Sequence, residues 1–183
     1  MESEAWALAA KIKMVVLDVD GVLTDGSIIF GPDGEACKAF HARDGLGISL
    51  AHEAGLKTAI ITGRKSRIVL LRGEELKISD IYQGAKNKMI ALRELASKHN
   101  LSFGEMAYIG DDLNDLPALK SVGLPCAVAD ACSEVKAAAK LTASKRGGRG
   151  AVREIIEYIL QAQGLWAGLL NSYLTDAQQD LGQ

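Results

Sequence analysis

The feature that most constrains this chain is a recurrence: a short, wholly apolar run rich in β-branched residues, broken off at once by a carboxylate, a hydroxyl or a glycine. It occurs at 14–17 (MVVL) before Asp18, at 58–61 (TAII) before Thr62-Gly63, and at 106–109 (MAYI) before Gly110-Asp111. A run with no polar alternation leaves no face for water, so each reads as a parallel strand covered on both sides. Weaker runs at 78–82 and 126–128 add two candidates. Between them, 45–54, 66–76, 86–99, 113–122, 133–139 and 151–165 carry helical spacing. In the third, Met89, Ile90, Leu92, Leu95 and Ala96 form an apolar stripe, with Lys86, Arg93, Glu94 and Lys98 largely off it. Strand alternating with helix predicts an α/β fold with a parallel sheet.

Size and charge bound the rest. At 183 residues, with 48% hydrophobic and 24% charged residues, the chain has the composition of one compact globular domain. Twenty-one basic against 23 acidic side chains give a net charge of −2, which excludes a global basic field for nucleic acid or anionic membrane. Cys37, Cys126 and Cys132 are odd in number and lack CxxC spacing, and the start Met1-Glu2-Ser3-Glu4 lacks the basic region of a secretory signal. A reducing, cytoplasmic setting is expected. No apolar run approaches the ~20 residues of a bilayer span, so a soluble protein is expected. No repeat or Pro/Gly/Ser linker interrupts the chain, and the polar end 175–183 places the domain boundary before it.

One segment breaks the strand–helix rhythm. Ile28-Ile29-Phe30, the turn cluster Gly31-Pro32-Asp33-Gly34 and then 35–40 read as a β-hairpin. It follows the first strand, and open parallel sheets bind ligands at the carboxyl ends of their strands. The hairpin is therefore expected over the site.

The residues at those strand ends carry chemistry. Asp18 and Asp20, two apart past a buried strand, repel each other unless a cation or protons intervene. Gly110-Asp111-Asp112-Leu113-Asn114-Asp115 brings more carboxylates to the same edge, and oxygen ligands without His or Cys at zinc spacing favour Mg²⁺. Thr62-Gly63-Arg64 supplies a hydroxyl, a backbone N–H and a guanidinium, and Lys88 opens a helix on the way to the third strand. Carboxylate, metal, hydroxyl and ammonium together are the equipment of phosphoryl transfer.

In this order, Asp18-x-Asp20-Gly21-Val22-Leu23-Thr24, Thr62, Lys88 and Gly110-Asp111-Asp112-x-Asn114-Asp115 resemble the haloacid dehalogenase (HAD) superfamily of aspartate-nucleophile phosphatases. The stretches 19–26, 43–45, 61–64, 82–84 and 146–154 narrow the likeness to phosphatases of 3-deoxy-D-manno-octulosonate 8-phosphate (KDO 8-phosphate). The resemblance covers 11–165, which with the hairpin 28–40 would be the phosphatase domain, leaving 166–183 as a C-terminal extension. It implies a Rossmann-like three-layer α/β/α sheet, HAD-like, with no inserted cap domain. It also implies magnesium-dependent hydrolysis of KDO 8-phosphate through an aspartyl phosphate, in lipopolysaccharide sugar biosynthesis.

Carried over residue by residue, Asp18 would be the nucleophile and Asp20 the general acid and base. Mg²⁺ would be held by Asp18, the Asp20 backbone carbonyl and Asp111, with Asp112 and Asp115 orienting the groups around it. Thr62 and Lys88 would bind phosphoryl oxygens, and Lys88 would offset the charge of Asp18. The resemblance lines the sugar pocket with Asp20, His41, Ala42, Arg43, Asp44, Gly45, Thr62, Gly63, Arg64, Arg72, Lys88 and Asn114. Arginine pairs bidentately with the carboxylate such a substrate carries. Arg64 favours the eight-carbon sugar, because relatives acting on nine-carbon sialic-acid-type sugars can carry an acidic residue there. Ser49 departs from members with a basic residue at that position. The resemblance further implies a homotetramer in which the hairpin and the C-terminal region complete neighbouring active sites.

Plainer readings stand beside these. An isolated Asp-x-Asp often caps a turn, Lys88 alone reads as a solvated helix lysine, and Asp44 reads equally as a helix cap. His41 reads as a turn or packing residue, and Gly147-Gly148-x-Gly150 as a phosphate cradle or a flexible entry to the next helix. Gly45-Leu46-Gly47 lacks the third glycine of a dinucleotide fingerprint, and 31–38 lacks the ending of a phosphate loop. Two rival functions remain: a non-hydrolytic sugar-phosphate-binding module, against which Asp20 and Lys88 are both present, and a phosphomutase, for which the gap between Thr24 and Thr62 is short of a cap.

Overall fold

A computed structural model describes residues 2–179. The chain runs α1 (Glu2–Ala9), β1 (Met14–Leu17), a hairpin of β2 (Ile29–Gly31) and β3 (Gly34–Cys37), α2 (Ala42–Glu53), β4 (Lys57–Ile61), α3 (Arg67–Glu75), β5 (Asp80–Tyr82), α4 (Lys88–His99), β6 (Met106–Gly110), α5 (Leu116–Leu119), β7 (Leu124–Ala127), α6 (Ser133–Ala138), β8 (Leu141–Thr142), α7 (Ala151–Ala162) and α8 (Trp166–Gln179). Six strands form one sheet in the order β5-β4-β1-β6-β7-β8, every neighbouring pair parallel, and the hairpin stands apart as its own antiparallel pair. The expected fold class is what is found: α/β, parallel, with a hairpin after β1 and no cap domain.

The apolar runs explain the order. Met14, Val15, Val16 and Leu17 are each 0% exposed at the sheet's centre, between β4 and β6. On one face α2 packs on α7 and touches α3 through Gly45, which lies against Arg72 and Leu76. On the other, α4 packs on α5 and α5 on α6. Right-handed crossovers demand this division, because the chain steps from β1 outward to β4 and β5, then returns to β6 and steps the other way. Loops leaving β1 and β6 therefore diverge to opposite faces and open a crevice at their carboxyl ends.

Several elements differ from the sequence reading. The segment 113–122 divides into a 3-10 turn, Leu113–Asp115, and the short α5, with Pro117 in its first turn. β8 has only two residues, too few for any pattern, and α1 was not anticipated. Ala5 and Ala9 of α1 are buried, and Trp6 meets Tyr158 of α7 edge-on at 5.2 Å. The stripe 165–174 lies on α8 except for Leu165, which precedes it: Trp166 and Leu169 pack on the core, while Leu165, Leu170, Tyr173 and Leu174 stay exposed. Of the expected extension 166–183, residues 180–183 lie outside the described part. Among the described residues no helix is long and apolar enough to cross a membrane.

Asp80, at the start of β5, fastens the end of α4 to the sheet. It accepts from Lys98 Nζ at 2.6 Å and lies 2.8 Å from His99 Nε2. Burial alone would raise its pKa, but the Lys98 and His99 contacts outweigh burial and hold it below the usual aspartate value. A depressed folded pKa contributes stability that is present above the unfolded value of about 3.9 and lost as pH falls through the folded one. Asp80→Asn should lower Tm at pH 7 by about 2–4 °C, given that Lys98 is solvent-exposed. The gap to wild type should narrow in thermal scans as pH falls below the ordinary aspartate value and close once Asp80 is protonated in the folded protein.

Candidate active site

Asp18 continues β1 by one residue, its N–H donating to Ile109 O at 3.1 Å, so the carboxyl is fixed at the sheet edge and the residue is only 4% exposed. The chain then curls tightly, with the N–H groups of Val22, Leu23 and Thr24 all aimed at Val19 O. In that curl Gly21 has φ +92°, and a Cβ there would fall 2.0 Å from Asp111 Oδ2. Only glycine lets the β1 loop and the β6 loop approach so closely.

Asp115 organises the β6 side. Its Oδ1 accepts from Lys88 Nζ at 2.5 Å and Tyr108 Oη at 2.8 Å, and its Oδ2 from the Asp111 and Asp112 N–H groups at 3.0 and 3.4 Å. Lys88 Nζ also lies 2.9 Å from Asp18 Oδ2, with the lysine side chain 1% exposed. One ammonium therefore bridges two buried carboxylates. Burial opposes that charge, but Asp18 and Asp115 outweigh it and keep the Lys88 pKa above its usual value.

A single ammonium leaves carboxylate charge unmet. Oxygens of Asp18, Asp111 and Asp115 lie within 4.8 Å of one another, and Asp18 Oδ1 is buried with no hydrogen-bond partner. Burial first, then Asp115, raises the Asp18 pKa to about 6. Burial, then Asp18 and Asp115, raises that of Asp111 to about 7. An orphaned buried oxygen among crowded hard oxygens fits a divalent cation such as Mg²⁺. Asp115 already receives four donors, which leaves Asp18 and Asp111 as the side chains free to hold it.

Of the other expected residues, Asp20, Thr62, Gly63, Arg64, Asp112 and Asn114 line the same cleft of 290 Å³ as Asp18 and Asp111. The Thr62 N–H is spent on Tyr82 O, so its hydroxyl is the group left for a ligand. Asp112 caps the 3-10 turn, accepting from the Leu113 N–H at 2.8 Å. His41, Ala42, Arg43, Asp44, Gly45 and Arg72 are not among the residues lining this cleft. Asp44 accepts from the Gly150 and Arg153 N–H groups at 3.1 and 2.9 Å, so it caps α7, a helix distant in sequence. Arg72 bonds Glu75 at 2.8 Å and lies over the Phe40 ring. His41 Nδ1 lies 4.0 Å from Asp44 Oδ2, and Arg43 faces a neighbouring cleft with Arg149 and Arg153. The glycine segment 147–150 is neither cradle nor loose entry: the Gly148 N–H donates to Val22 O at 2.8 Å, and a Cβ on Gly147 would fall 1.7 Å from Gly21 O.

The sequence reading missed two participants. Tyr108 was counted as part of an apolar strand, although its hydroxyl needs a partner when buried. Lys38, which donates to Asp20 Oδ1 from the hairpin, could have been noticed as a lone cation in the otherwise uncharged stretch 36–40.

A buried aspartate beside a bridging lysine, with an acidic pair from the next strand, at the switch point of a parallel sheet, defines a hydrolase of the haloacid dehalogenase class. The sequence pattern of haloacid dehalogenase-like hydrolases matches residues 72–156. The chain is 45% identical over 164 residues to 3-deoxy-D-manno-octulosonate 8-phosphate phosphatase of Escherichia coli K12, covering 90% of this chain and 87% of that one. The structure of the Moraxella catarrhalis phosphatase of that name, in complex with magnesium, phosphate and KDO, superposes with a TM-score of 0.91 at 41% identity, covering 93% of this chain and 98% of that one. The cobalt-bound Haemophilus influenzae phosphatase gives 0.85 at 43% identity, over 87% and 93%. The chain belongs to the family of 3-deoxy-D-manno-octulosonate 8-phosphate phosphatases within the HAD superfamily.

Because Asp18 and Asp111 must shed protons to take a cation, Mg²⁺ affinity should fall with pH. Titration calorimetry should show binding about tenfold or more weaker at pH 6 than at pH 8. Asp111→Asn should abolish it at both. An affinity flat across that range would mean that these carboxylates do not hold the ion.

Proposed function

We propose that this chain hydrolyses 3-deoxy-D-manno-octulosonate 8-phosphate to 3-deoxy-D-manno-octulosonate and phosphate, as a step of lipopolysaccharide sugar biosynthesis in the cytoplasm. The observation that carries the reading is Lys88 bridging Asp18 and Asp115 beside an orphaned Asp18 oxygen. Asp18 attacks phosphorus and forms an aspartyl phosphate. Lys88 lowers the repulsion between that anionic nucleophile and an anionic phosphate. Asp20 protonates the departing sugar oxygen and then takes a proton from the water that hydrolyses the acyl phosphate. The Thr62 hydroxyl and Lys88 receive phosphoryl oxygens. Magnesium held by Asp18, the Asp20 backbone carbonyl and Asp111 supplies charge neutralisation at the phosphoryl group.

Arg64 is half-exposed at the cleft rim, where its guanidinium is available to the substrate carboxylate. The resemblance adds the preference for the eight-carbon acid, since relatives acting on nine-carbon acids can carry an acidic residue where Arg64 stands. A binding-only module would have no use for Asp20 within the cleft, and the absence of a cap domain speaks against a mutase.

We further propose that residues 11–165 form the catalytic unit and that the protein assembles as a homotetramer, with the hairpin and the C-terminal region completing neighbouring sites. What supports assembly is the outer surface of the hairpin, a two-stranded pair with Ile29 and Phe30 46% and 67% exposed. Such a pair is marginal without further cover.

Phosphate release from a panel of sugar phosphates, with and without EDTA, tests the reaction. Turnover should be greatest on the eight-carbon acid phosphate and vanish on chelation, and Asp18→Asn should reduce it by at least about a thousandfold. Appreciable turnover by that variant would exclude the aspartyl-phosphate route. Light scattering should give a tetramer for wild type and smaller species when Ile29 and Phe30 are both replaced by Asp; a monomeric wild type with full activity would rule out shared sites.

A further inference from the structure

The hairpin brings one charge into the catalytic loop. Lys38, the residue after β3, has a side chain only 1% exposed; its Nζ donates to Asp20 Oδ1 and lies 3.0 Å from Glu35 Oε1. Glu35 Oε2 in turn accepts from the Ser66 hydroxyl, at the cap of α3. The Ser66 N–H donates to Gln83 Oε1, and Gln83 Nε2 returns a bond to Ser66 O at 3.0 Å. An unbroken polar chain thus runs from Asp20 through the hairpin to the start of α3 and the end of β5.

Stability does not require this arrangement. An ammonium withdrawn from water bears a desolvation cost, and an apolar side chain of similar length would fill the same space without it. What Lys38 does supply is direction. Asp20 sits at the cleft with its second oxygen, Oδ2, 3.9 Å from Arg64 Nε. With Oδ1 held by Lys38, Oδ2 is the oxygen left for the proton that passes to the sugar oxygen and later comes from water. Without Lys38, Oδ1 loses this contact and the carboxyl is free to rotate, so that Oδ2 is no longer kept in its present direction at the cleft.

Resting on the phosphatase reading above, we propose that Lys38 is a positioning residue for Asp20, steadied by Glu35, so that proton transfer is fastest while the hairpin is seated on its own chain. Lys38 contacts Asp20 and Glu35 and is not among the residues lining the cleft, so its loss slows the steps that use Asp20 and spares those that do not.

Nitrophenyl phosphate separates the two. Nitrophenolate departs without a proton, so phosphoryl transfer to Asp18 needs little from Asp20, whereas hydrolysis of the acyl phosphate needs it as a base. Rapid mixing of full-length Lys38→Met with nitrophenyl phosphate should show a burst of nitrophenolate at close to the wild-type rate, then steady turnover about tenfold or more slower. On the eight-carbon acid phosphate, kcat should fall by a similar factor with KM within about twofold, Lys38→Arg should recover part of it, and Glu35→Gln should show a smaller loss of the same pattern. Equal losses in burst and steady phases, or a change in KM alone, would overturn the proposal, as would wild-type kinetics in Lys38→Met. The substrate reading fails separately, by wild-type inactivity on the acid sugar phosphate, and the nitrophenyl arm still decides the role of Lys38.

Discussion

The ammonium of Lys88 is the contact on which the site depends. It sits between Asp18 and Asp115, all three groups removed from water. Removing one partner from such a group typically costs about 3–5 kcal/mol, because the charges left behind remain buried. The same bond serves chemistry. It draws the carboxylates from β1 and β6 into one site, and it screens the nucleophile from the anion it must attack. Lys88 does this from the first residue of α4, where its backbone is fixed by the Asn87 cap, whose side chain accepts from Met89 N–H at 3.1 Å. A helix start, a strand end and a 3-10 turn are thereby tied together at one nitrogen.

Close backbone approach is the second constraint. Gly21 admits the Asp111 carboxyl against the β1 loop, and Gly147 lies against the Gly21 carbonyl from the other side. The loop that carries Asp20 is therefore wedged between the β6 loop and the segment leading into α7. Asp44, buried in α2, receives the Gly150 and Arg153 N–H groups and fastens that segment in place. A carboxylate that does not line the cleft thus supports the catalytic loop through two layers of packing. Asp44 and Gly45 thus have structural roles of their own, the one capping α7 and the other letting α2 approach Arg72 and Leu76.

The centre of the sheet was legible because β1, β4 and β6 each run into a residue that cannot be buried without a partner. Asp18, Thr62 and Asp111 mark those ends, and their order along the chain was enough to place them on one edge. Less legible were features that depend on pairs distant in sequence. Asp44 reads as a local cap because its true partners lie more than a hundred residues away. Arg72 and Arg64 share helical spacing, yet Arg72 turns to Phe40 and Glu75 while Arg64 stays at the cleft. β8 and α1 owe their form to neighbouring elements, since neither two residues nor a weakly patterned octet declares a face.

The hairpin shows how a small catalytic domain manages without a separate cap. Ile28 lines the cleft, and Lys38 and Glu35 form the polar chain to Asp20 and Ser66, while Ile29 and Phe30 face away from the core. Its two surfaces thus differ: the inner one carries the polar chain to the site, and the outer one exposes the apolar Ile29 and Phe30. A bulge between Ile29 and Phe30 breaks the strict alternation that would otherwise place these neighbours on opposite sides. Arg64, over the Phe30 ring at 6.0 Å, joins the apolar surface to the cleft rim. Its Nε lies 3.9 Å from Asp20 Oδ2, so one guanidinium spans the distance between the exposed ring of the hairpin and the carboxyl at the cleft.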